Sequence, residues 1–449
     1  MSNAPLFDAL MDYAGERTLR LHMPGHKGKP LSMEREGFLS FFDFTELKRT
    51  GNLYGGEDII SEAEKLCARL YGADACMFMT NGSTGGIQAA LGSAASGGKI
   101  LCDRSAHKCV TAASALYDIE TDYILPELSE KCGFVLSFDM GELEKKLKKE
   151  RYNAFVLTSP TYYGVIHDIK AISAICKAYG TLLITDSAHG AHFPALGIPS
   201  AIERGADIAA ISMHKTLPAL GQSAIVLSSK DRIRDIRRFA SLSSTSSPSY
   251  AIMASIDKAR ADLESFPERY VKTACLAHDL REYLTSFTDI CIPYMGKSSD
   301  PCRLTIDVTG LGITGYEAYS FLEERGVVCE MADTCCVIMI LTSSDDDEDL
   351  ERLRLALVEL NGFRGEKKIA PVPFTHLPKR ICSPRKALLG ERKSVPLGDA
   401  EGEIAAESVT VYPPGCVIFA PGEEIDKIGI EILINNGYNI SDKIYTQFG

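Results

Sequence analysis

The sequence predicts an α/β protein in which a large domain with a mainly parallel β-sheet is followed by smaller α+β domains. Between residues 58 and 228, apolar runs of strand length alternate with amphipathic stretches, an order typical of a parallel sheet covered by helices on both faces. After residue 285 the order changes to strand, helix, two strands and helix, which indicates a separate, smaller unit. The chain has 449 residues, 45% of them hydrophobic, so it can bury a large core.

The first element of the large domain is a helix predicted over residues 59–71. Ile60, Ala63 and Leu70 recur there at helical spacing, and Gly72 supplies a left-handed stop. A crossover helix is predicted over 169–179. Short apolar runs predict the strands at 75–79, 153–158, 181–185, 207–211 and 223–228.

The smaller unit carries a motif that points to a different function. Strands are predicted over 303–309, 327–331 and 337–342, with helices over 315–325 and 347–360. Residues 310–315 read GLGITG, a formal match to the fingerprint of dinucleotide-binding folds. That fold needs a third parallel strand, and the short link before residue 337 allows only a hairpin. We therefore predict an antiparallel third strand, which leaves nucleotide binding as the weaker alternative.

These patterns divide the chain into four parts. They are an N-terminal segment 1–57, a large domain 58–284, a small α+β domain 285–363 and a C-terminal domain 364–449. The portion 395–449 is predicted to be β-rich, with turns at Pro413-Pro414-Gly415 and Pro421-Gly422. The Ser-rich stretch 241–249 has the composition of a flexible linker.

Composition and charge exclude several classes of protein. Lys and Arg number 48 against 60 Asp and Glu, so the net charge is -12 and nucleic acid is not an expected partner. The 14 cysteines contain no C-x-x-C pair, which predicts reduced thiols in a cytoplasmic protein rather than a disulfide framework or a zinc finger. We expect neither an export signal nor a membrane span, because the sequence has no basic start before an apolar run and no apolar stretch of about 20 residues.

Polar residues that could carry chemistry follow the strand 181–185. The segment TLLITDSAHGAHF places Asp186, His189 and His192 at its carboxyl end, where doubly wound sheets bind ligands. Asp186 could instead be a helix cap beside structural histidines. A zinc site made of the three residues is a further alternative, although no helical H-E-x-x-H pattern supports it.

Three more segments fall at predicted strand ends. Lys215 lies among small and apolar residues in ISMHKTLPALGQSA, where desolvation would lower its pKa and make it a usable amine nucleophile. The loop TNGSTGG offers backbone N–H groups with the hydroxyls of Ser83 and Thr84, as a phosphate cradle requires. DRSAHKCV places His107 at another strand-to-helix junction. Each residue alone has an ordinary structural explanation: a snorkelling lysine, a Gly-Ser turn and a surface histidine.

Together these residues fit pyridoxal 5'-phosphate better than each fits its structural explanation. The aldehyde of that cofactor needs a lysine, its ring nitrogen needs a carboxylate, and its phosphate needs a cradle. We therefore predict pyridoxal phosphate as the cofactor and expect no metal.

The sequence also resembles a known family, the prokaryotic ornithine/lysine/arginine decarboxylases of fold type I, and especially their shorter members without an N-terminal wing domain. The resemblance covers nearly the whole chain. Its motifs are LHMPGHKG (21–28), NGSTGGIQA (81–89), AHK around His107, SPTYYGV (159–165), DSAHGAHF (186–193), SMHK with GQSA (221–224), and VYPPGCVIFAPGE (411–423).

The resemblance implies a role for each candidate. Lys215 forms the Schiff base with the cofactor, Asp186 pairs with the ring nitrogen, and His107 stacks on the ring. His189 hydrogen-bonds the ring oxygen. The residues implied around the phosphate are Ser83, Thr84, Ser212 and His214. Thr245 and the hydroxyls that follow it, through residue 247, resemble the family's loop that reaches the phosphate of the partner subunit, which replaces the linker interpretation.

The expected function is the pyridoxal-phosphate-dependent decarboxylation of arginine, lysine or ornithine to an amine and CO2 in polyamine metabolism, by a cytoplasmic homodimer or larger homo-oligomer with shared sites. The alternatives are an aminotransferase and a catalytically silent regulatory homologue. The chain departs from the family pattern at Pro218 and Gly221, and at Gly398-Asp399, where an acidic pair is more usual. The last departure leaves the choice of substrate open.

Overall fold

The computed structural model describes residues 19–21, 51–296, 298–371, 377–411 and 416–448. The strands are β1 (Leu19–Leu21), β2 (Ala75–Met79), β3 (Lys99–Asp103), β4 (Glu120–Ile124), β5 (Pro126–Leu128), β6 (Val135–Phe138), β7 (Ala154–Thr158), β8 (Leu182–Asp186), β9 (Ile208–Ser212), β10 (Ala224–Ser228), β11 (Arg303–Asp307), β12 (Val327–Cys329), β13 (Met331–Ala332), β14 (Cys336–Ile340), β15 (Arg392–Pro396), β16 (Val409–Val411), β17 (Cys416–Phe419) and β18 (Lys443–Gln447).

The α-helices are α1 (Ile59–Leu70), α2 (Gly82–Ala95), α3 (Cys109–Tyr117), α4 (Met140–Lys149), α5 (Ile169–Ala178), α6 (Met213–Thr216), α7 (Lys230–Ser243), α8 (Tyr250–Ser265), α9 (Glu268–Phe287), α10 (Gly315–Glu323), α11 (Asp347–Gly362), α12 (Pro384–Leu389) and α13 (Lys427–Asn435). Short 3-10 turns span Phe193–Leu196, Thr309–Leu311 and Leu397–Asp399.

A seven-stranded sheet forms the centre of the large domain, in the order β2-β10-β9-β8-β7-β3-β4. Its inner strands are almost entirely buried, because helices cover both faces. The predicted helix at 59–71 is confirmed as α1, which begins with a capping box between Asp58 and Ser61. All five strands predicted in this region are confirmed to within a residue.

The direction of one strand differs from the expected parallel order. β10 runs antiparallel to both of its neighbours, β2 and β9. Only residues 213–223 separate β9 from β10, and a parallel crossover needs a dozen or more residues. The other six strands share one direction, so the sheet is mainly parallel as predicted.

The small domain is built on an antiparallel sheet of order β11-β14-β13. The prediction of an antiparallel strand after residue 331 is therefore confirmed. The single strand predicted over 327–331 is wrong in detail: β12 pairs in parallel with β1, whereas β13 pairs with β14. Glu330 lies at the point where the chain passes from one sheet to the other.

The C-terminal part is less β-rich than predicted. Two antiparallel strand pairs, β15 with β18 and β16 with β17, are present, but α12 and α13 were not predicted. The turn at Pro421-Gly422 is confirmed, whereas Pro413-Pro414-Gly415 lies outside the described residues. The motif LHMPGHKG lies outside them as well, except for its first residue, Leu21. The four domain boundaries stay predictions.

Three further features bear on the expectations from sequence. The linker interpretation of 241–249 is wrong for its first three residues, which end α7, and Ser249 caps α8. The cysteines whose side chains the structure describes, which are all but Cys416, are unpaired thiols. Across those same ranges, none of the helices combines the length and the apolar character that crossing a bilayer demands.

Candidate active site

A cavity of about 390 Å³ lies at the carboxyl edge of the central sheet. Residues that follow β2, β3, β7, β8 and β9 line it, which is the usual ligand position in an open α/β sheet. The structure brings together eight of the nine site residues predicted from the sequence: Ser83, Thr84, His107, Asp186, His189, Ser212, His214 and Lys215.

One end of this cavity is the start of α2. Gly82 adopts a positive φ of 76°, which favours glycine, and turns the chain from β2 into the helix. The side chain of Asn81 does not cap the helix, so the first N–H groups are left for a ligand. Ser212 Oγ donates to Ser83 Oγ over 3.0 Å. Backbone N–H groups, the helix dipole and hydroxyls together favour an anion here.

A buried carboxylate and an imidazole lie further along the cavity. Asp186 is the last residue of β8 and is 6% exposed, and its Oδ1 accepts from Ala188 N over 3.2 Å. His107 follows β3, and its Nδ1 accepts from Cys109 N over 3.2 Å. Burial lowers the pKa of His107, against the opposing effect of Asp186. The ring of His107 is therefore neutral at pH 7, with its proton on Nε2.

Lys215 lies in α6, the single helical turn that follows β9. Its Nζ is 3.1 Å from His189 Nε2 and 5.3 Å from the centre of the Tyr162 ring. Burial lowers the pKa of Lys215, while the carboxylates of Asp186 and Glu330 raise it. The net direction is downward, which favours the unprotonated amine that a nucleophilic lysine requires.

The two histidines of the DSAHGAHF motif have different partners. His189 is 1% exposed and contacts Lys215, while its Nδ1 lies 2.9 Å from Arg303 Nη2. His192 Nε2 is 2.9 Å from Asp300 Oδ1. Asp186, His189 and His192 therefore do not converge on one position, and the structure does not support the zinc site considered from the sequence. The group of potential metal ligands found within the described ranges is His192, Asp300 and Cys302.

Thr245 is the predicted site residue that does not line the cavity. It is exposed, and its Oγ1 accepts from Ser247 N over 3.1 Å. The neighbouring Ser244 accepts from Asn81 Nδ2 over 3.2 Å, which places the loop beside the start of α2 in the same chain. The predicted reach of this loop to a partner subunit stays a prediction.

Three further residues at this site are not predicted by the sequence patterns. Tyr162 packs its ring 4.4 Å from that of His189, and its signal was present in the quoted motif SPTYYGV. Arg303 and Asp333 come from the small domain, and no local pattern marks them. Asp333 lines the cavity and accepts from Tyr163 Oη over 2.6 Å, while burial raises its pKa.

Comparison with known proteins gives two family matches and several relatives. Residues 4–295 match the major domain of the Orn/Lys/Arg decarboxylases, and residues 368–433 match their C-terminal domain. The arginine decarboxylase of Bacillus subtilis is 32% identical over 96% of this chain and 93% of that protein. The constitutive lysine decarboxylase of Escherichia coli is 22% identical, over 94% of this chain and 75% of its own length.

Solved structures show the same fold. The structure of the E. coli constitutive lysine decarboxylase aligns with a TM-score of 0.74 at 19% identity, covering 99% of this chain and 81% of the other. The lysine decarboxylase of Francisella novicida gives a TM-score of 0.74 at 20% identity, covering 89% of this chain and 73% of the other.

Proposed function

Since the chain belongs to the Orn/Lys/Arg decarboxylase family, whose members decarboxylate basic amino acids, we propose that it acts on arginine with pyridoxal phosphate held in the cavity around Lys215. The observation that carries the proposal is the convergence of an anion cradle, a carboxylate, an imidazole and a lysine amine on one cavity. Arginine is favoured over lysine and ornithine because relatives named arginine decarboxylase are 30–32% identical to this chain, whereas the lysine and ornithine decarboxylases are 21–22% identical.

The start of α2 fits the phosphate of the cofactor. Its N–H groups have no side-chain cap, and Ser83, Thr84 and Ser212 bring hydroxyls to the same place. His214 stands at this end with its Nδ1 donating to Ser223 O over 3.0 Å, which fixes the ring. A phosphate held there is anchored by dipole and hydrogen bonds rather than by a lysine or arginine.

Asp186 and His107, which line the same cavity, would hold the ring of the cofactor. No hydrogen bond within the described residues reaches Asp186 Oδ2, so that oxygen is available to a ring N–H. A carboxylate there stabilises the protonated ring through a charge-assisted hydrogen bond. The neutral imidazole of His107 offers a flat face for stacking. When bound, pyridoxal phosphate supplies the aldehyde that captures an amine and the electron-withdrawing ring that accepts the electron pair left by CO2.

Lys215 performs the remaining chemistry at its Nζ. As a neutral amine it can hold the cofactor and then yield to the substrate amine. With the cofactor bound, Nζ would take up the proton that the substrate ammonium gives up, and Lys215 or a neighbouring histidine would then return a proton to the carbon that has lost CO2.

A second carboxylate supports a substrate with a cationic side chain. Asp186 and Asp333 are the two carboxylates that line the cavity in the described part of the chain. If Asp186 serves the cofactor ring, Asp333 is left for the distal guanidinium. Asp399, which stands where the family more often has an acidic pair, is exposed and does not line the cavity.

The assembly and the location are proposed from the thiols and from the Ser-rich loop. We propose a cytoplasmic homodimer with shared sites, because the unpaired, mostly buried thiols fit a reducing compartment and the exposed hydroxyls at 245–247 have too little apolar content to order themselves without a partner.

The test is to incubate the purified chain with pyridoxal phosphate and arginine, lysine or ornithine in turn, and to measure both CO2 and the amine. We expect CO2 and agmatine from arginine, in equal amounts. Release of CO2 from lysine or ornithine alone would contradict the choice of substrate. The absence of CO2 from all three would favour a silent homologue, and keto acid without CO2 would favour an aminotransferase.

Variants at Asp333 test the distal contact. A hydrogen bond to a charged group contributes about 1.5–3 kcal/mol, so Asp333→Asn should raise KM for arginine about 10-fold or more. Asp399→Asn, which changes an exposed acid outside the cavity, is the matched control and should leave KM unchanged. An unchanged KM in Asp333→Asn would remove this residue from substrate binding.

A further inference from the structure

The contact between Arg303 and His189 joins the small domain to the centre of the site. Arg303 is the first residue of β11 and is 3% exposed. Its Nη2 lies 2.9 Å from His189 Nδ1. Its Nε and Nη1 find no hydrogen-bond partner among the described residues, so this is the bond that the structure shows for the guanidinium.

The backbone and stem of Arg303 are held from three sides. Arg303 N donates to Asp300 O over 3.2 Å, and Arg281 Nη2 donates to Arg303 O over 2.6 Å. Gly164, at a positive φ of 99°, packs so closely that a Cβ there would lie 2.8 Å from Arg303 Cβ. The carboxylate of Asp300 supplies a nearby negative charge for the buried guanidinium. These contacts therefore fix the position of Arg303 beside His189.

The chemistry of the pair fixes the proton on His189. A guanidinium has five N–H donors, has no acceptor, and remains charged in proteins. His189 Nδ1 must therefore accept, which leaves the imidazole neutral with its proton on Nε2. Burial lowers the pKa of His189 well below its ordinary value, and the charges of Lys215 and Arg303 act in the same direction.

This tautomer determines what His189 offers to Lys215. Nε2 is 3.1 Å from Lys215 Nζ, and an Nε2–H can only donate. Nζ must accept, which requires a neutral amine. The other groups that face the two residues are His107 and His214 near the imidazole, and the carboxylates of Asp186 and Glu330 near the amine.

We propose that Arg303 is a positioning residue that locks His189 in the Nε2–H tautomer, so that the imidazole donates toward Lys215 and toward the ring oxygen of the bound cofactor. The hydrogen bond to the cofactor rests on the proposed function. The tautomer of His189 and its effect on Lys215 rest on the protein alone. Arg303 is not among the described residues that line the cavity, and its effect passes through the imidazole of His189. Without it, the imidazole is free to carry its proton on Nδ1 and to accept from a protonated Lys215.

The direct test is the tautomer of His189 in the full chain labelled with ¹⁵N-histidine, first without and then with pyridoxal phosphate. Long-range ¹H–¹⁵N correlations distinguish the two tautomers and the imidazolium, and the loss of one set of peaks in His189→Asn assigns them. We expect the Nε2–H form in the wild type across pH 6 to 8. An Nδ1–H form or an imidazolium in the wild type would overturn the proposal without need of any variant.

The variants separate positioning from general stability. Arg303→Met removes both the donor and the charge and should lose the Nε2–H form, while Arg303→Lys keeps one donor and the charge and should restore it. Arg260→Met is the control, because it removes a different buried cation, one that pairs with Asp257 and Glu264 on its own helix, α8. Retention of the wild-type tautomer in a folded Arg303→Met protein would contradict the proposal.

A second readout follows the rate at which the apoprotein takes up pyridoxal phosphate as a function of pH. Only the neutral amine of Lys215 attacks the aldehyde, so in Arg303→Met the midpoint of this profile should move to higher pH and the rate at pH 7 should fall severalfold. An unchanged profile would contradict the effect on Lys215. If no variant and no wild-type protein takes up the cofactor, the proposed function fails, while the tautomer measurement still decides the role of Arg303.

Discussion

Breaking the ion pair between Arg104 and Glu423 should destabilise the protein strongly. Arg104 follows β3 and Glu423 follows β17, so the pair joins the central sheet to the C-terminal part. The contact is bidentate, with distances of 2.8 Å and 2.5 Å, and the side chains are 0% and 5% exposed. Arg104 also donates to Ile418 O over 2.8 Å and lies over the ring of Tyr123 at 4.4 Å.

The magnitude follows from this burial. Removing one partner of a buried pair leaves an uncompensated charge and costs about 3–5 kcal/mol, so Glu423→Met should lower the free energy of unfolding by that amount. Arg104→Met should cost a similar amount. The double variant leaves no buried charge, but Ile418 O and Ala420 N each lose a hydrogen-bond partner. Each loss lowers the free energy of unfolding by about 1–3 kcal/mol. The double change should therefore cost well below the sum of the two single changes.

The assay is urea unfolding of the four proteins of this cycle, followed by circular dichroism, with hydrogen exchange over residues 416–448. We expect a coupling free energy of about 3 kcal/mol or more and faster exchange in both single variants. A single change that costs under about 1 kcal/mol, or a double change equal to the sum, would refute the assignment of a desolvated pair. Because Ser105 and His107 follow Arg104, the single variants should also bind pyridoxal phosphate less tightly.

Three further predictions concern the site and its surroundings. Asp186→Asn should keep much of the cofactor but lose about 100-fold or more in turnover, because a neutral amide no longer favours the protonated ring; wild-type turnover would contradict its role. Burial lowers the pKa of His167 to about 4, so the unfolded chain binds more protons between pH 6.5 and 4 and stability falls as the pH drops through that window. Between pH 7 and pH 5, the free energy of unfolding measured in urea should fall by about 2 kcal/mol less in His167→Phe than in the wild type. The same fall in both proteins would contradict this role of His167. Mixing a Lys215→Ala chain with a chain carrying alanine at 245–247 should restore activity on subunit exchange if sites are shared, whereas demonstrated exchange without recovery would exclude sharing.

The parts of the fold that local pattern encodes could be predicted from the sequence. The run ACMFM predicts β2, and the other apolar runs of the large domain predict the strands beside it, because strands buried on both faces are continuously apolar. Asp186 and Lys215 could be found because Asp186 ends one such strand and Lys215 lies three residues after another. The motifs that carry them are contiguous, so no knowledge of tertiary contacts was needed.

The parts that depend on distant partners could not be predicted. The run 327–331 looks like one strand, but its first half pairs with residues 19–21 and its second half with β14. In α13, KIGIEILIN is rich in β-branched residues, which favour a strand, and its Gly429 disfavours a helix. The segment is nevertheless a helix, and its Gly429 packs directly on the ring of Phe419, where a Cβ would lie 2.1 Å away. The contact of Arg303 with His189 could not be predicted, because the two residues are far apart in the sequence and only the packing of two domains brings them together.

The central claim is that Lys215 carries pyridoxal phosphate, and borohydride reduction of the loaded protein tests it most directly. Reduction makes the lysine–cofactor bond permanent, so peptide mapping identifies the labelled residue. We predict one label per chain, on the peptide that contains Lys215, and none in Lys215→Ala. Label on another lysine, or full labelling of Lys215→Ala, would contradict the account.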